Sequence, residues 1–435
     1  MTFKDLIGRK RDGYPHTTEE INQLVKSVTE GSAPDYQIAA WLMAAYLNTL
    51  SPTETADLTR AMAASGERMN LGGLPKPWID KHSTGGVGDK TTLVALPMLA
   101  ACGVTAVKMS GRGLGITGGT IDKLESIPGF RTDLSPNELK AQAQSIGIAL
   151  TGQTPRLAPA DGVLYGLRDV TGTVANIPLI VSSILSKKIA GGAEVVVFDV
   201  KAGSGAFMST LGEAESLAEA LIEVGTEAGL TTRAVVSDMD QPLGRACGNA
   251  LEVVEAIETL SHDFHSRFAV LCKRLVGHAL HAAGLVESAD TGHEMARETL
   301  VSGRAYEKAK AWFSAQGADA EKLFDDPTGH LPVAHSVRKV FAHQAGWVKA
   351  VDARAIGELV VQLGGGRQQK GDQIHHSVGV VCEVEVGDQI QDQELIAVIH
   401  ASSDDDADHA ANAFLGALEI SQVPVSPRPV ILKEF

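Results

Sequence analysis

Lysine, histidine, serine and three glycines occur together in the stretch DKHSTGGVGDKTTL, which runs from residue 80 to residue 93. The stretch follows a short apolar run and precedes a predicted helix that begins near Lys90. This composition is close to that of a nucleotide-binding phosphate loop, but the Walker pattern requires glycine immediately before the lysine. The chain has Asp89 there, and a carboxylate repels the phosphate oxygens that such a loop binds. The stretch is therefore not a Walker loop, and its phosphate-like composition needs another explanation.

The glycines of this stretch can still bind an anion through the backbone. Without side chains their N–H groups approach a ligand closely, and the N-terminus of the following helix favours negative charge. Lys81, His82 and Ser83 would then lie at the edge of the anion site. The alternative is a glycine-rich turn that binds nothing, and the stretch alone does not distinguish the two interpretations.

A second segment, KMSGRGLGITGGTIDKLESIPGF from residue 108 to residue 130, repeats the pattern. It also follows a predicted strand, and it combines glycines with the hydroxyl groups of Ser110, Thr117 and Thr120. Ligands of open α/β sheets bind at the carboxyl ends of the strands. Two such loops on neighbouring strands therefore predict an anion site between them more strongly than either loop alone.

A third segment, YGLRDVTGTVANIPLIVSSILSKK from residue 165 to residue 188, carries further donors. Ser183 and Lys187 are four residues apart, so they share one face of a predicted helix. Arg168 precedes this helix on a predicted loop. Such donors suit a planar, acceptor-rich group such as a carboxylate or a heterocyclic lactam. The alternative is that Lys187 and Lys188 only stabilise the C-terminus of the helix.

The elements that must position these residues differ along the chain. A capping box at Thr17 and a proline-started helix after Ser51 predict a helical N-terminal region. After residue 72, β-rich runs alternate with helical runs, which is typical of an α/β sheet with crossover helices. The apolar helix 178–188 interrupts this alternation, and we expect it to pack with the N-terminal helices. Valine-rich runs from about residue 347 predict strands of a small separate domain.

The predicted fold class is α/β, with a small all-helical domain hinged to a larger mixed α/β sheet domain and a C-terminal α+β domain. The predicted boundaries are 1–65 and 160–190 for the helical domain, 66–159 and 191–335 for the α/β domain, and 345–435 for the C-terminal domain. The helical domain is therefore expected to be discontinuous in sequence.

The composition excludes several classes of function. The 435 residues have a net charge of -15, from 53 acidic and 38 basic side chains, which disfavours nucleic acid or an anionic membrane as partner. The four cysteines lie far apart, without a C-x-x-C pair, so neither a disulfide framework nor a cysteine zinc site is expected. Without a predicted membrane span or a signal-peptide apolar core, we expect a cytoplasmic protein.

The three segments together resemble the thymidine and pyrimidine-nucleoside phosphorylases. The resemblance extends through DLIGRKRDG (5–13), FDVKAGSGAFM (198–208) and SDMDQPLGRACGNALEV (237–253), so it covers nearly the whole chain. It implies a homodimer in which the helical domain provides dimerisation and base binding. It also implies reversible phosphorolysis of uridine, thymidine and deoxyuridine to the free base and an α-pentose 1-phosphate. Inorganic phosphate is then the co-substrate, and no organic cofactor is expected.

The resemblance also implies roles for particular residues. The residues that match the family's phosphate ligands are Lys81, Ser83, Thr92, Ser110 and Thr120. The residues that match its base-binding positions are His82, Arg168, Ser183 and Lys187. Among these, His82, Arg168 and Lys187 are the expected catalytic residues, because they can stabilise the negative charge that develops on the departing pyrimidine.

Two positions bear on the sugar and on specificity. Family members usually carry histidine where this chain has Ile116, so we expect an altered base or sugar pocket. Lys108 matches the lysine of the broader pyrimidine-nucleoside enzymes, whereas thymidine-directed relatives tend to carry methionine. A cation near the sugar tolerates a 2′-hydroxyl, which favours use of both ribosides and deoxyribosides. A strictly thymidine-directed phosphorylase is the alternative.

Some relatives bind a monovalent cation through backbone carbonyls and a carboxylate. The matching positions here are Gly88, Leu243, Ala246 and Glu255. Lys90, however, replaces a threonine near that site. The resemblance therefore leaves two occupants open, a potassium ion or the lysine ammonium group.

Two other classes of function remain to be distinguished. An anthranilate-type phosphoribosyltransferase would need acidic magnesium ligands, for which Asp122 and Glu125 are the candidates. It leaves the histidine and lysine of DKHS unexplained. A biotinyl- or lipoyl-type carrier would present a modified lysine at a hairpin tip, but the candidate tip, EVEVGDQIQDQE, contains none.

Overall fold

A computed structural model describes residues 1–113, 115–369 and 371–435, so Leu114 of the second glycine-rich segment and Lys370 lie outside the described residues. The helices are α1 (Phe3–Arg11), α2 (Thr18–Thr29), α3 (Asp35–Asn48), α4 (Pro52–Ala64), α5 (Thr91–Ala101), α6 (Thr120–Glu125), α7 (Pro136–Ile146), α8 (Pro159–Thr171), α9 (Ile177–Ala190), α10 (Leu211–Glu227), α11 (Asn249–Ser261), α12 (Arg267–Ala282), α13 (Ala289–Val301), α14 (Arg304–Ala315), α15 (Ala320–Asp325), α16 (Pro327–His330), α17 (Ala353–Gln362) and α18 (Asp404–Gly416). The strands are β1 (Trp78–Ser83), β2 (Thr105–Ser110), β3 (Ile148–Gly152), β4 (Val195–Ala202), β5 (Thr231–Asp238), β6 (Ala246–Cys247), β7 (Ser336–Phe341), β8 (Gly346–Val351), β9 (Gly379–Cys382), β10 (Gln389–Ile390), β11 (Leu395–Ala401), β12 (Leu418–Ser421) and β13 (Ile431–Glu434).

The N-terminal helices form a core of their own with two later helices. The capping box predicted at Thr17 starts α2. The helix predicted after Ser51 is α4, which also begins with a capping box, and in both helices the N3 glutamate bonds back to the cap. Trp41 of α3 is buried in this core, and Leu164 of α8 and Leu179 of α9 pack into the same cluster. The segment after β3 therefore returns to the N-terminal helices, as the apolar pattern of 178–188 predicted.

A six-stranded sheet in the order β3-β2-β1-β4-β5-β13 forms the centre of the molecule. Its first five strands in that order are parallel, and β13 runs antiparallel to β5. All eight residues of β4 are buried, as expected for a parallel strand covered on both faces. One face packs with α5, α11 and α12, and the other face packs with α9 and α10.

The chain order reverses at β1, since β2 and β3 extend the sheet to one side and β4 and β5 to the other. β1 pairs with β2 only through Trp78 and Ile79, whereas it pairs with β4 from Ile79 to Ser83. The carboxyl halves of β1 and β2 therefore separate. Ligands of open α/β sheets bind at the carboxyl ends of the strands beside such a reversal.

The C-terminal part contains two antiparallel sheets, in the orders β10-β8-β12 and β6-β9-β11-β7. Two strands connect this part with the rest of the chain. β6 leaves the segment after β5 to pair with β9, and β13 returns to the edge of the central sheet. The predicted domain boundaries stay predictions. β6 lies within the predicted α/β domain but pairs in a C-terminal sheet, and β13 lies within the predicted C-terminal domain but pairs in the central sheet.

One local prediction is wrong. Arg168 lies within α8 and not on a loop, because the helix continues until Gly172 ends it in the left-handed conformation. The acidic run near 404–410 forms the first turns of α18, where aspartates favour the helix N-terminus. Among the described residues, no helix has the length and apolar character needed to cross a membrane.

Candidate active site

The carboxyl end of β1 carries a buried lysine between two aspartates. The ammonium group of Lys81 lies 3.9 Å from Oδ1 of Asp89 and 3.7 Å from Oδ2 of Asp199. It also donates a hydrogen bond to the hydroxyl of Thr91, the first residue of α5. Although burial opposes ionisation, Lys81 and Lys201 hold the pKa of Asp89 well below its usual range. β1, β4 and α5 thus hold a charged cluster at the edge of the sheet where ligands bind.

The two glycine-rich loops contact each other beside this cluster. We define the first glycine loop as residues 84–90 and the second glycine loop as residues 111–113 and 115–119. A Cβ atom added to Gly85 would lie 3.6 Å from the Cβ of Thr117, so the two loops are in van der Waals contact. Ser83, the last residue of β1, accepts a hydrogen bond of 3.3 Å from the N–H of Gly85. The sequence prediction that these loops meet is therefore correct in its geometry.

The other predicted phosphate residues lie where neighbouring elements begin or end. Thr92 is the second residue of α5, Ser110 is the last residue of β2, and Thr120 is the first residue of α6. Helix α5 begins directly after the first glycine loop, so its unpaired N–H groups add to those of the loop.

An aspartate with two lysines fills the gap between the carboxyl halves of β1 and β2. Oδ1 of Asp80 lies 3.3 Å from Nζ of Lys108, and Oδ2 lies 2.7 Å from Nζ of Lys188 on α9. Lys108 also donates to the main-chain carbonyl of Lys81. Burial lowers the pKa of Lys108 to about 7, with Asp80 opposing this shift and the ammonium groups of Lys188 and Lys81 adding to it. Lys108 therefore changes charge near neutral pH.

The histidine of the first segment is held in its neutral form. His82 follows Lys81 on β1, and its ring lies edge-on to Phe198 of β4 at 6.1 Å between centroids. Burial lowers its pKa well below 6.5, and the ammonium groups of Lys188, Lys108, Lys81 and Lys187 lower it further. A neutral imidazole donates one N–H hydrogen bond but supplies no proton as an acid.

The predicted base residues of α9 meet α8. Nζ of Lys187 lies 2.5 Å from Oδ2 of Asp161 and 2.9 Å from Oγ of Ser183. Arg168, two turns after Asp161 on α8, donates to the main-chain carbonyls of Thr173, Val174 and Leu179. The structure thus brings Ser183 and Lys187 together. The hydrogen bonds of Arg168 to these carbonyls also fix the turn between α8 and α9.

The predicted cation ligands surround a lysine side chain. Nζ of Lys90 lies 3.1 Å from the carbonyl of Gly88, 2.6 Å from that of Leu243 and 3.1 Å from that of Ala246. It also lies 2.7 Å from Oε2 of Glu255. The residues present therefore do not fit a potassium ion, because an ammonium group already occupies the position at which the predicted ligands converge. Of the two occupants that the sequence left open, the structure has the lysine.

Ile116 of the second glycine loop contacts the C-terminal part of the chain. A Cβ atom added to Gly357 of α17 would lie 2.9 Å from the Cβ of Ile116 and 2.8 Å from Cγ2 of Val87 in the first glycine loop. Ile116 therefore lies where the two glycine loops approach α17. The expectation that it alters a base or sugar pocket stays a prediction.

The candidate magnesium ligands are already paired with arginines. Arg112 binds Glu125 with both terminal nitrogens, one of them at 2.6 Å, and Oδ1 of Asp122 lies 2.8 Å from Nη1 of Arg367. Oδ2 of Asp122 accepts a hydrogen bond of 2.7 Å from the N–H of Gly113. These carboxylates hold the second glycine loop in shape and are not open to a metal ion.

Several residues of the site are not identified by the sequence reasoning. They are the acidic and basic partners of the predicted residues, namely Asp80, Asp161, Lys188, Asp199 and Lys201. All five lie inside or beside the recognised motifs, as in DKHS and FDVKAG. For Asp80, Asp199 and Lys201 the available signal was a charged residue within a predicted buried strand, where a charge requires a partner. Asp161 and Lys188 lie on helices, so this signal does not apply to them.

Comparison with known proteins agrees with this arrangement. Residues 4–66 match the helical bundle domain of a glycosyl transferase family and residues 75–306 match its α/β domain. The chain therefore belongs to this glycosyl transferase family. Residues 347–421 match the C-terminal domain of pyrimidine nucleoside phosphorylase, which places the chain among the pyrimidine-nucleoside phosphorylases within the family.

Similar proteins extend over almost the full chain. A pyrimidine-nucleoside phosphorylase of Geobacillus stearothermophilus is 44% identical over 431 residues, which is 99% of each chain. One from Staphylococcus aureus strain MSSA476 is 44% identical over 427 residues, 98% of each chain. The crystal structure of anthranilate phosphoribosyltransferase from Thermus thermophilus superposes with a TM-score of 0.60 at 19% identity, covering 72% of this chain and 99% of that one. At that identity the likeness shows the fold alone.

We expect His82 to remain neutral between about pH 6 and pH 8, because burial and four ammonium groups oppose its protonation. NMR of histidine labelled with ¹³C at Cε1 measures this directly, with His82→Asn identifying the signal and free imidazole as the reference. A titration of the His82 signal with its midpoint at or above 6.5 would contradict the expected direction.

Proposed function

We propose that this chain catalyses the reversible phosphorolysis of pyrimidine nucleosides to the free base and an α-pentose 1-phosphate. The observation that carries the proposal is the ion pair between Asp80 of β1 and Lys188 of α9. It fixes Lys187 and Ser183, which precede Lys188 on α9, beside the strand that carries Lys81 and His82. The ammonium groups that lower the pKa of His82 include those of Lys81 and Lys187, so the proposed donors for an anion and for a heterocycle lie near one another. The names of the 44% identical relatives support the same reaction.

The base leaves as an anion, and three residues are proposed to stabilise it. Breaking the N-glycosidic bond moves its electron pair onto the pyrimidine, where the charge spreads over the ring nitrogen and oxygens. Lys187 and Arg168 supply positive charge to this group, and His82 donates an N–H hydrogen bond to a ring oxygen. Asp161 positions Lys187 and Ser183 adds a polar contact, so the donors are held before the substrate arrives.

Phosphate is the proposed nucleophile and co-substrate. It would bind between the two glycine loops, with Lys81 and the hydroxyls of Ser83, Thr92, Ser110 and Thr120 as its ligands. An oxygen of phosphate attacks C1′ as the base departs, and its negative charge stabilises the positive character of the sugar. Neutral His82 does not protonate the base, so the charge on the departing ring must be met by Lys187 and Arg168.

Closure of the cleft is proposed to complete the site. The base donors lie on α8 and α9, which pack with the N-terminal helices, whereas the phosphate donors lie around the central sheet. Movement of the helical part toward the sheet would bring the two reactants together and expel water. In this proposal the helical part comprises 1–65 and 160–190, the α/β part comprises 66–159 and 191–335, and the C-terminal part comprises 345–435.

We also propose that the enzyme is a cytoplasmic homodimer joined through its helical part. Tyr36, Met43 and Leu47 repeat along one side of α3, and their side chains are exposed even though they are large and apolar. Val170 of the adjoining α8 is also exposed. A surface of this kind is typical of an interface between subunits.

Leu47→Glu is therefore expected to convert the homodimer to a monomer, because a carboxylate at a buried interface position loses its water. Size-exclusion chromatography with light scattering measures the mass, and Val301→Glu, at an exposed apolar position far along the chain, is the control. If the wild-type chain is monomeric, or if Leu47→Glu remains a dimer, the proposed location of the interface is wrong.

The anthranilate-type phosphoribosyltransferase is the weaker proposal. Its magnesium would need Asp122 and Glu125, and both carboxylates are paired with arginines. Within the described residues, no group of three His, Cys, Asp or Glu side chains could hold a metal ion.

Release of uracil from uridine should require inorganic phosphate and should fall about 100-fold in turnover for Lys187→Ala, because one charge-stabilising donor is lost. Steady-state kinetics measure the turnover, and circular dichroism checks the fold. Lys26→Ala, at an exposed position on α2, is the control. Unchanged turnover removes Lys187 from the base site, and dependence on a phosphoribosyl diphosphate overturns the proposed reaction.

Lys108 is proposed to set the range of sugars. Its pKa of about 7 means that the ammonium form predominates at pH 6 and declines as the pH rises toward 8. A charged donor binds a 2′-hydroxyl better than a neutral amine does. The preference for uridine over deoxyuridine should therefore decrease as the pH rises through about 7.

In Lys108→Met, kcat/KM for uridine relative to deoxyuridine is expected to fall about tenfold at pH 6, through loss of one charged hydrogen bond. The ratio should then no longer change with pH. Parallel assays of both nucleosides at several pH values measure it. A variant that keeps the wild-type ratio and its pH dependence would show that Lys108 does not contact the sugar, and a strictly thymidine-directed enzyme would use uridine at no pH.

A further inference from the structure

We propose that the ammonium group of Lys90 is a built-in cation that replaces a bound monovalent metal ion and holds the first glycine loop in place. Its Nζ contacts the carbonyl oxygens of Gly88, Leu243 and Ala246 at 2.6–3.1 Å. Glu255 supplies the balancing negative charge at 2.7 Å. Rings of carbonyl oxygens replace the hydration shell of a cation in the same way.

Protein groups enclose the ammonium group of Lys90 on several sides. The side chain is fully buried, and the ring of Phe268 lies 5.0 Å from its Nζ. A Cβ atom added to Gly244 would lie 2.9 Å from the ammonium group and 2.2 Å from Oε1 of Glu255. We call the oxygen atoms of Gly88, Leu243, Ala246 and Glu255 around this ammonium group the oxygen cage. The backbone of Gly244 closes the cage on one side, and the ring of Phe268 closes it on another. A metal ion could enter only by displacing the lysine.

The cage connects three parts of the site. Gly88 belongs to the first glycine loop, and Lys90 itself is the residue before α5. Leu243 donates its N–H to the carbonyl of Val87 at 3.1 Å. Oε2 of Glu255, on α11, accepts a hydrogen bond of 2.7 Å from the N–H of Ala246, the first residue of the strand that joins the C-terminal sheet.

Lys90 is therefore a positioning residue and not a catalytic one, since it acts on the proposed phosphate site through the loop. Removing the charge of Lys90 leaves the carboxylate of Glu255 buried without its ion-pair partner, which lowers the stability of the folded chain. A shorter side chain such as threonine removes the charge but leaves the oxygen cage open. In that variant the cage should bind an external monovalent cation of similar size to an ammonium group.

The experiment compares thermal unfolding of the wild type and Lys90→Thr in potassium, sodium and choline chloride at one ionic strength. The wild type is expected to unfold at the same temperature in all three salts. Lys90→Thr is expected to lose on the order of 5 °C in choline chloride, through the unpaired buried carboxylate. Potassium chloride is expected to restore the loss with a saturable dependence on concentration, because an ion that binds the folded form stabilises it.

Two further variants separate cation binding from general damage. Lys90→Met fills the cage with an uncharged chain, so it should be destabilised without rescue by potassium. Lys273→Met, which removes another buried lysine bound to a main-chain carbonyl, should show no salt-specific effect. Kinetics add a readout that rests on the proposed function: the KM for phosphate of Lys90→Thr should rise about tenfold in choline and recover in potassium.

A saturable effect of potassium on the wild-type unfolding temperature would overturn the inference. So would a folded Lys90→Thr that unfolds at the same temperature in all three salts. If Lys90→Thr does not fold, the wild-type measurement alone still decides whether the chain needs a metal ion. The thermal readout requires no turnover, so its failure is distinguishable from failure of the proposed reaction.

Discussion

The two ion pairs of Asp80 are the interaction on which the candidate site depends. Lys108 reaches this carboxylate from β2, and Lys188 reaches it from α9, in the gap where β1 and β2 separate. A buried carboxylate is tolerated only when charges and hydrogen bonds compensate it, and Asp80 accepts hydrogen bonds from both lysines. Through them, the helix that carries the base donors is joined to the strand that carries the anion donors. The acidic chain thus concentrates positive charge at one edge of its sheet.

Much of the fold was predictable, because local rules specify it. The capping box at Thr17, the proline after Ser51 and the apolar run 178–188 predicted α2, α4 and α9 near their observed bounds, and the two glycine-rich loops were correctly expected to meet. The residues of the three motifs were also identifiable in the chain. Their roles rest on the resemblance and on the chemistry of their side chains.

The partners of these residues were not predictable from spacing. Asp80 and Lys188 are separated by 108 residues, and nothing in the local pattern shows that they meet. Lys108 of β2 contacts Asp80 and the carbonyl of Lys81 where β1 and β2 separate, and no spacing in the sequence predicts these contacts. Arg168 was expected on a loop, but α8 continues to Thr171 and ends at Gly172. Ile116 and Gly357 are far apart in the chain, and nothing in the local pattern shows that they meet.

The return of β13 to the central sheet has a consequence for synthesis of the chain. β5 pairs with β4 on one side, and its other edge pairs with β13 and forms hydrogen bonds with the flanking Val430 and Phe435. More than 190 residues are therefore synthesised after β5 before this edge can be covered. Until then the nascent chain exposes unpaired N–H and C=O groups, which are prone to intermolecular pairing. Folding of the central sheet is thus completed after translation has passed the entire C-terminal part, and a prematurely terminated product would retain the open edge.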